Sequence, residues 1–249
     1  MITQARLFLC ALQFLTRIPT PALKTWPTDG VARSAIYYPV VGWIVGAICA
    51  AALLVADRFW PPLVGAALST VVGLLITGGL HEDGLADTAD GLGGGRTPER
   101  RREIMKDSRI GAYGVLALWA LLTLKTLAVA ALPPPRAALA LILAHGAARA
   151  FPTLAMTQSY AGAPARAKLG SAQVRPWEAA IAVVLGFVAL AILPWPQAAL
   201  GLTLAAASAG LMAFAARRLI GGWTGDVLGA VEQVAEAALL LGFSASLVL

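Results

Sequence analysis

Apolar positions in this chain come in runs of about twenty residues, and polar positions are confined to the breaks between them. The runs cover residues 35–56, 62–80, 112–132, 137–156, 178–195, 197–216 and 227–249. Each approaches the roughly 20 residues that a helix needs to cross the hydrocarbon core of a bilayer. They are far longer than strands and do not alternate, so a sheet reading fails. Trp60-Pro61-Pro62, Pro133-Pro134-Pro135 and Pro194-Trp195-Pro196 supply the turns. The pattern predicts an all-α fold: a polytopic bundle of seven spanning helices forming one integral membrane domain over residues 1–249. The stretch before residue 35 behaves differently. Its apolar run from Leu7 to Leu15 is short and broken by Gln13, while Thr3, Arg6, Gln13 and Arg17 fall on one helical face. That spacing predicts an amphipathic helix lying in the membrane interface. No small-residue cleavage site follows it, so it is expected to be retained.

Composition strengthens the membrane reading. Only 13% of residues are charged, against about 25% in soluble domains. Cys10 and Cys49 both lie in apolar runs, which leaves no disulfide framework and no thiolate metal motif. The net charge of +6 is not a nucleic-acid footprint, because its placement follows the membrane. Of the 19 cations, 15 fall on alternate connections: the N-terminal segment, residues 81–111, the 157–177 loop and the 217–226 loop. The other side holds only Arg58 and Arg136, while Lys125 and Arg149 lie inside predicted spans. Lys and Arg collect on cytoplasmic loops, so residues 81–111 are expected to face the cytoplasm.

That segment is where chemistry concentrates. Glu82, Asp83, Asp87 and Asp90 fall within nine positions, and Arg96, Arg100, Arg101, Arg102, Lys106 and Arg109 follow. The spacing i, i+4, i+7 puts Asp83, Asp87 and Asp90 on one face if the second span continues through them. Such a face suits a hard divalent cation, Mg²⁺ above all, which accepts a few carboxylates together with waters and phosphate. His81 has the chemistry of a general base or ligand, although a lone histidine at a helix end more often hydrogen-bonds a neighbour. Glu82 points off the aspartate face and reads as a surface or supporting residue. Thr97-Pro98 reads as a helix start, so a short basic helix runs to about Asp107. Arg102, Lys106 and Arg109, which approach the re-entry into the membrane, are the candidates for phosphate contact. A second Gly-rich turn, Gly221-Gly222-Trp223-Thr224-Gly225-Asp226, opens the last span on the same side. Inside the spans, Lys125 and Arg149 are the only cations, and the obvious partners are Glu232 and Glu236. His145, one turn from Arg149, reads as a packing residue.

The run from Gly79-Leu80-His81-Glu82-Asp83-Gly84 through Asp87-Thr88-Ala89-Asp90-Gly91, with Ile104-Met105-Lys106-Asp107-Ser108-Arg109-Ile110-Gly111, resembles the cobalamin synthase family of membrane adenosylcobinamide-GDP ribazoletransferases. Phe14-Leu15-Thr16-Arg17-Ile18-Pro19 and Thr224-Gly225-Asp226 with Leu228-Gly229-Ala230 are similar to that family too. The resemblance implies the last step of nucleotide-loop assembly. A hydroxyl of α-ribazole, or of its 5′-phosphate, attacks the activated phosphate of adenosylcobinamide-GDP, and GMP leaves. It also implies Mg²⁺, a multi-pass setting in the cell inner membrane with a cytoplasmic catalytic face, no nucleic-acid partner, and room for a homo-oligomer. On this reading His81, Asp83, Asp87, Asp90, Lys106, Asp107 and Arg109 are catalytic, with Asp83, Asp87 and Asp90 on the metal. Arg102, Ser108, Lys125, Arg149, Thr224, Asp226 and Glu232 contact substrate. A CDP-alcohol phosphotransferase uses similar aspartates, but its signature has Ala-Arg two residues after Asp-Gly, and here Asp83-Gly84-Leu85-Ala86 is followed by Asp87-Thr88. A transporter built on the intramembrane charges leaves the loop acids unexplained, and no inverted repeat is visible.

The charge asymmetry is testable directly. Reporter fusions after residue 95 and after residue 170 are expected to read as cytoplasmic, and one after Pro134 as periplasmic. An external signal from residue 95 would separate the acids from cytoplasmic nucleotides.

Overall fold

The computed structural model describes residues 3–21, 23, 29–158 and 173–246. Lys24, Arg166 and Lys168, which contribute to the charge asymmetry, lie outside the described residues. Among the described residues every regular element is a helix: α1 (Gln4–Leu15), α2 (Gly30–Ser34), α3 (Tyr38–Ala56), α4 (Pro62–Thr77), α5 (Leu80–Gly94), α6 (Pro98–Ile104), α7 (Ala112–Ala130), α8 (Pro134–Ala148), α9 (Ala150–Ala155), α10 (Pro176–Val188), α11 (Trp195–Ile220) and α12 (Gly225–Ser244). Short 3₁₀ turns at Ala35–Tyr37 and Ala189–Ile192 precede α3 and follow α10.

The span count differs from the expected seven. Among the described residues, five helical segments are long and apolar enough to cross a membrane: Gly30–Ala56, Ala112–Ala130, Pro134–Ala155, Trp195–Ile220 and Gly225–Ser244. A sixth is reached if α4 and α5 are taken together across a 91° bend. The segment Pro176–Ile192 is apolar but shorter. The bend has a local cause. Gly78 and Gly79 both adopt φ 68°, a left-handed conformation that ends α4 and that only glycine takes without strain. The acidic stretch is therefore not a continuation of the second span. It is a separate helix lying across one end of the bundle.

Helices α12 and α8–α9 form the centre, with most of their length buried, whereas α11 is mostly exposed. Small residues allow this centre to close. Gly42 and Gly46 of α3 lie against the α8 backbone, where a side-chain carbon at Gly46 would meet the Leu141 carbonyl at 2.7 Å. Ala137, Ala140, Ala144, Ala147 and Ala148 are all buried on α8. Without a water-driven force between helices in lipid, such close approach supplies the packing energy. Outward-facing Leu75, Trp119, Val184, Leu211 and Phe214 are exposed, as a bilayer-facing surface requires. Helix α1 buries Leu7, Cys10, Ala11, Leu12 and Leu15 against the bundle. The turns near Pro133 and Pro194 meet the end of α12 at one end of the molecule. Helices α5, α6 and the start of α12 gather at the other.

Candidate active site

The acids are assembled by two helices that touch through backbone. Gly84 of α5 lies so close to α12 that a side-chain carbon there would sit 2.7 Å from the Asp226 carbonyl oxygen. One helical turn along, Gly229 of α12 faces the His81 carbonyl at 3.0 Å by the same measure. With nothing larger than hydrogen between them, α5 brings Asp83 and Asp87 beside Asp226. Thr224 starts α12 by accepting a hydrogen bond from Val227 N at 3.2 Å, which fixes Asp226 in the first turn. The Thr224 hydroxyl is thus a helix cap, not the free substrate contact expected of it. Burial comes first, then the charges of Asp83, Asp226 and Asp90, in pushing the Asp87 carboxyl up to about 6.

Asp90 has a different place from the one its spacing implied. Its carboxylate is buried and accepts hydrogen bonds from Gly111 N (2.7 Å) and Gly114 N (2.9 Å). It caps the start of α7, where exposed amides and the helix dipole favour an anion. Asp90 therefore anchors the end of the 105–111 loop to the acid helix. The loop carries Lys106, Ser108 and Arg109, all exposed. Arg109 pairs with Asp107 at 2.6 Å, and this hydrogen-bonded guanidinium holds the Asp107 carboxyl down at about 2. Arg102 was expected on phosphate. Its Nη1 instead donates to the Ile220 carbonyl at 2.9 Å, and Arg101 donates to Leu219 at 3.3 Å. Both satisfy the last carbonyls of α11, so α6 is bolted to the bundle by arginines.

Beneath the acids lies a buried charge network. Lys125 Nζ is 2.6 Å from Glu236 and donates to Gln233 at 3.1 Å. Arg149 Nη1 is 3.0 Å from Glu232 and donates to the His145 carbonyl at 2.7 Å. His145 is not a packing residue: its Nδ1 lies 2.8 Å from Glu236. The signal was its i, i+4 spacing from Arg149, which puts both on one face. Glu82 is not at the surface either. It is buried and lines the small polar cavity that Lys125, His145 and Glu236 share. Lys125 and Glu232 thus serve the interior of the bundle, where unpaired charges would be very costly.

Only part of this network reaches the outside. A cavity of about 250 Å³ is lined by Phe14 and Tyr38 on one side and His81, Asp83, Arg149 and Asp226 on the other. His81 Nδ1 lies 3.8 Å from Glu232 and has no hydrogen-bond partner.

The cation question has two candidate donor sets. His145, Glu232 and Glu236 bring ligand atoms within 4.8 Å of one another. Lys125 and Arg149 already neutralise those carboxylates, so that set is full. Asp83, Asp87 and Asp226 are not gathered within that distance, but they are mutually repelling oxygen donors, Asp83 exposed and Asp87 and Asp226 part-buried. Mg²⁺ takes carboxylate, water and phosphate oxygens together, so the chemistry of this set fits it.

Comparison with known proteins agrees with the resemblance. A family model described as cobalamin-5-phosphate synthase matches residues 7–244. The adenosylcobinamide-GDP ribazoletransferase of Leptothrix cholodnii is 43% identical, covering 98% of this chain and 97% of that protein. Those of Ralstonia nicotianae (40%; 92% of this chain, 91% of that protein) and Shewanella amazonensis (38%; 96% and 94%) are also similar. No solved structure matches.

The raised Asp87 carboxyl carries a stability signature. Because the folded value lies above the unfolded one, folding gains from protonation, and that gain is lost as pH rises through about 6. Metal-free protein in detergent is expected to melt higher at pH 5.5 than at pH 7.5. Adding Mg²⁺ at pH 7.5 is expected to restore the difference and to have less effect at pH 5.5. A melting temperature indifferent to Mg²⁺ at both pH values would argue against the acid cluster as a cation site.

Proposed function

The chain belongs to the cobalamin-5-phosphate synthase family, and on that premise we propose that its acid-lined end joins adenosylcobinamide-GDP to α-ribazole, or to α-ribazole 5′-phosphate, with Mg²⁺ held by Asp83, Asp87 and Asp226. The protein is a membrane-embedded transferase of cobalamin synthesis. We place this end on the cytoplasmic face of the inner membrane, where nucleotide substrates are found. The observation that carries the reading is the meeting of carboxylates from α5 and α12 beside a cation-bearing loop that Asp90 tethers.

The products are adenosylcobalamin, or its 5′-phosphate, and GMP. A hydroxyl of the acceptor forms the new P–O bond and the bond to the GMP oxygen breaks. When bound, Mg²⁺ neutralises charge on the pyrophosphate and so stabilises the leaving group. The chain's own groups do the rest. Lys106 and Arg109 are exposed on a loop fixed at Gly111, and Arg109 exchanges Asp107 for a phosphate oxygen of the donor. A guanidinium suits that role because it offers paired donors to phosphate. His81 lines the cavity, and its ring accepts a hydrogen bond from the attacking hydroxyl, whose proton leaves to water as the new P–O bond forms. Arg102, Lys125 and Thr224 act at one remove, by fixing α6, α12 and the start of α12.

Asp83→Asn and Asp87→Asn are expected to insert and fold normally, because both side chains face solvent or the cavity. GMP release in detergent should fall by at least a hundredfold in each, the order of loss seen when a group stabilising transition-state charge is removed. Glu82→Gln, in the interior, is expected to lower the melting temperature while keeping activity within a few-fold. Full activity in both aspartate variants would remove Mg²⁺ from this site; a Glu82→Gln loss equal to that of Asp87→Asn would move the reaction inward.

A further inference from the structure

The 250 Å³ cavity has two chemically distinct walls. Helices α1 and α3 contribute aromatic and apolar groups. Phe14 and Tyr38 are stacked with ring centroids 6.1 Å apart and planes at 24°, and Leu15 continues the wall. Helices α5 and α12 contribute Asp83 and Asp226, with His81 behind them. His81 and Arg149, both nine-tenths buried, close the polar end of the cavity beside Asp83 and Asp226. The volume suits a nucleoside, being a little below the ~300–1,000 Å³ of pockets for drug-sized molecules. A corrin macrocycle is far too large for it.

Resting on the transferase reading above, we propose that this cavity is the acceptor site: it takes an aromatic-base nucleoside, base against Phe14 and Tyr38, ribose toward Asp83, Asp226, His81 and Arg149. The apolar wall discriminates between the two nucleosides of the reaction. Guanine carries amide and amino groups along its edge, and burying those against Phe14, Leu15 and Tyr38 leaves them unpaired. A benzimidazole base has no such edge and fits the wall. The ribose hydroxyls meet the polar end of the cavity, and the attacking hydroxyl emerges beside the acids that bind the donor's pyrophosphate. The donor's corrin ring then remains outside, at the membrane face. The 5′-phosphate, where present, meets Arg149.

Binding and kinetics on the full chain in lipid nanodiscs test this. α-Ribazole and its 5′-phosphate are titrated calorimetrically without donor, and KM is measured for each substrate. Met156→Trp fills the cavity from the residue that follows α9, since Met156 lines it and is buried. It is expected to raise Kd and KM for α-ribazole at least tenfold while KM for adenosylcobinamide-GDP stays within twofold. Phe14→Leu, a milder change at a half-buried position, is expected to raise the same constants three- to tenfold and decides the matter if Met156→Trp does not fold. A rise in the donor's KM alone would give the cavity to the donor, and no change in either constant would remove it from substrate binding. A wild-type protein that binds α-ribazole but releases no GMP would overturn the transferase reading and leave the cavity assignment standing. Turnover by the wild type with unchanged α-ribazole Kd in both variants would do the reverse.

Discussion

Gly84 and Gly229 let α5 and α12 meet backbone to backbone, and the placement of every functional group follows from that contact. Helix α12 threads the centre of the bundle, so whatever is fixed to it is fixed to the whole molecule. Helix α5 lies across one end because Gly78 and Gly79 turn the chain by 91° after α4. Where the two cross, Asp83 and Asp87 come beside Asp226 although about 140 residues separate them in the chain. A methyl group at position 84 would strike the Asp226 backbone, and the acids would part. The cation-bearing loop is held to the same helix by Asp90, which spends both carboxylate oxygens on the amides that open α7.

The membrane sets a second constraint. Charges at the bundle centre are tolerated only in pairs. Lys125 with Glu236 and Arg149 with Glu232 meet that requirement, and His145 joins them. The pairs link α12 to α7 and α8, the helices that flank it. Arg149 belongs to both worlds, since it closes the network below and lines the cavity above.

Much of this is legible in the sequence, and the reasons for the rest are physical. Run lengths and proline turns announce a helical membrane bundle. The aspartate run marks the end of the bundle where α5 and α12 bring carboxylates together. What one-dimensional spacing hides is rotation and crossing. Asp90 shares a helical face with Asp83 and Asp87, yet α7 abuts that face at its lower turn and claims the carboxylate. Asp226 lies far along the chain, and only the glycine contact brings it to the acids. Glu82 looks external because it leaves the aspartate face, but the other side of α5 rests on the bundle interior. Arg102 looks like a phosphate ligand because its partners are backbone carbonyls, which composition never displays. Among the described residues five or six segments, not seven, are long and apolar enough to cross, because two glycines in tandem bend one segment and a 3₁₀ turn ends another.

The central claim is that α5 and α12 together build one cation site. Mn²⁺ binding by electron paramagnetic resonance, on the full chain in nanodiscs without substrate, measures it most directly. Asp226→Asn is expected to weaken Mn²⁺ binding at least tenfold, as much as Asp87→Asn does, although the two residues sit on different helices. Wild-type Mn²⁺ affinity in Asp226→Asn, with affinity lost only on changing Asp83, Asp87 or Asp90, would show that α5 binds the cation alone and would contradict the account.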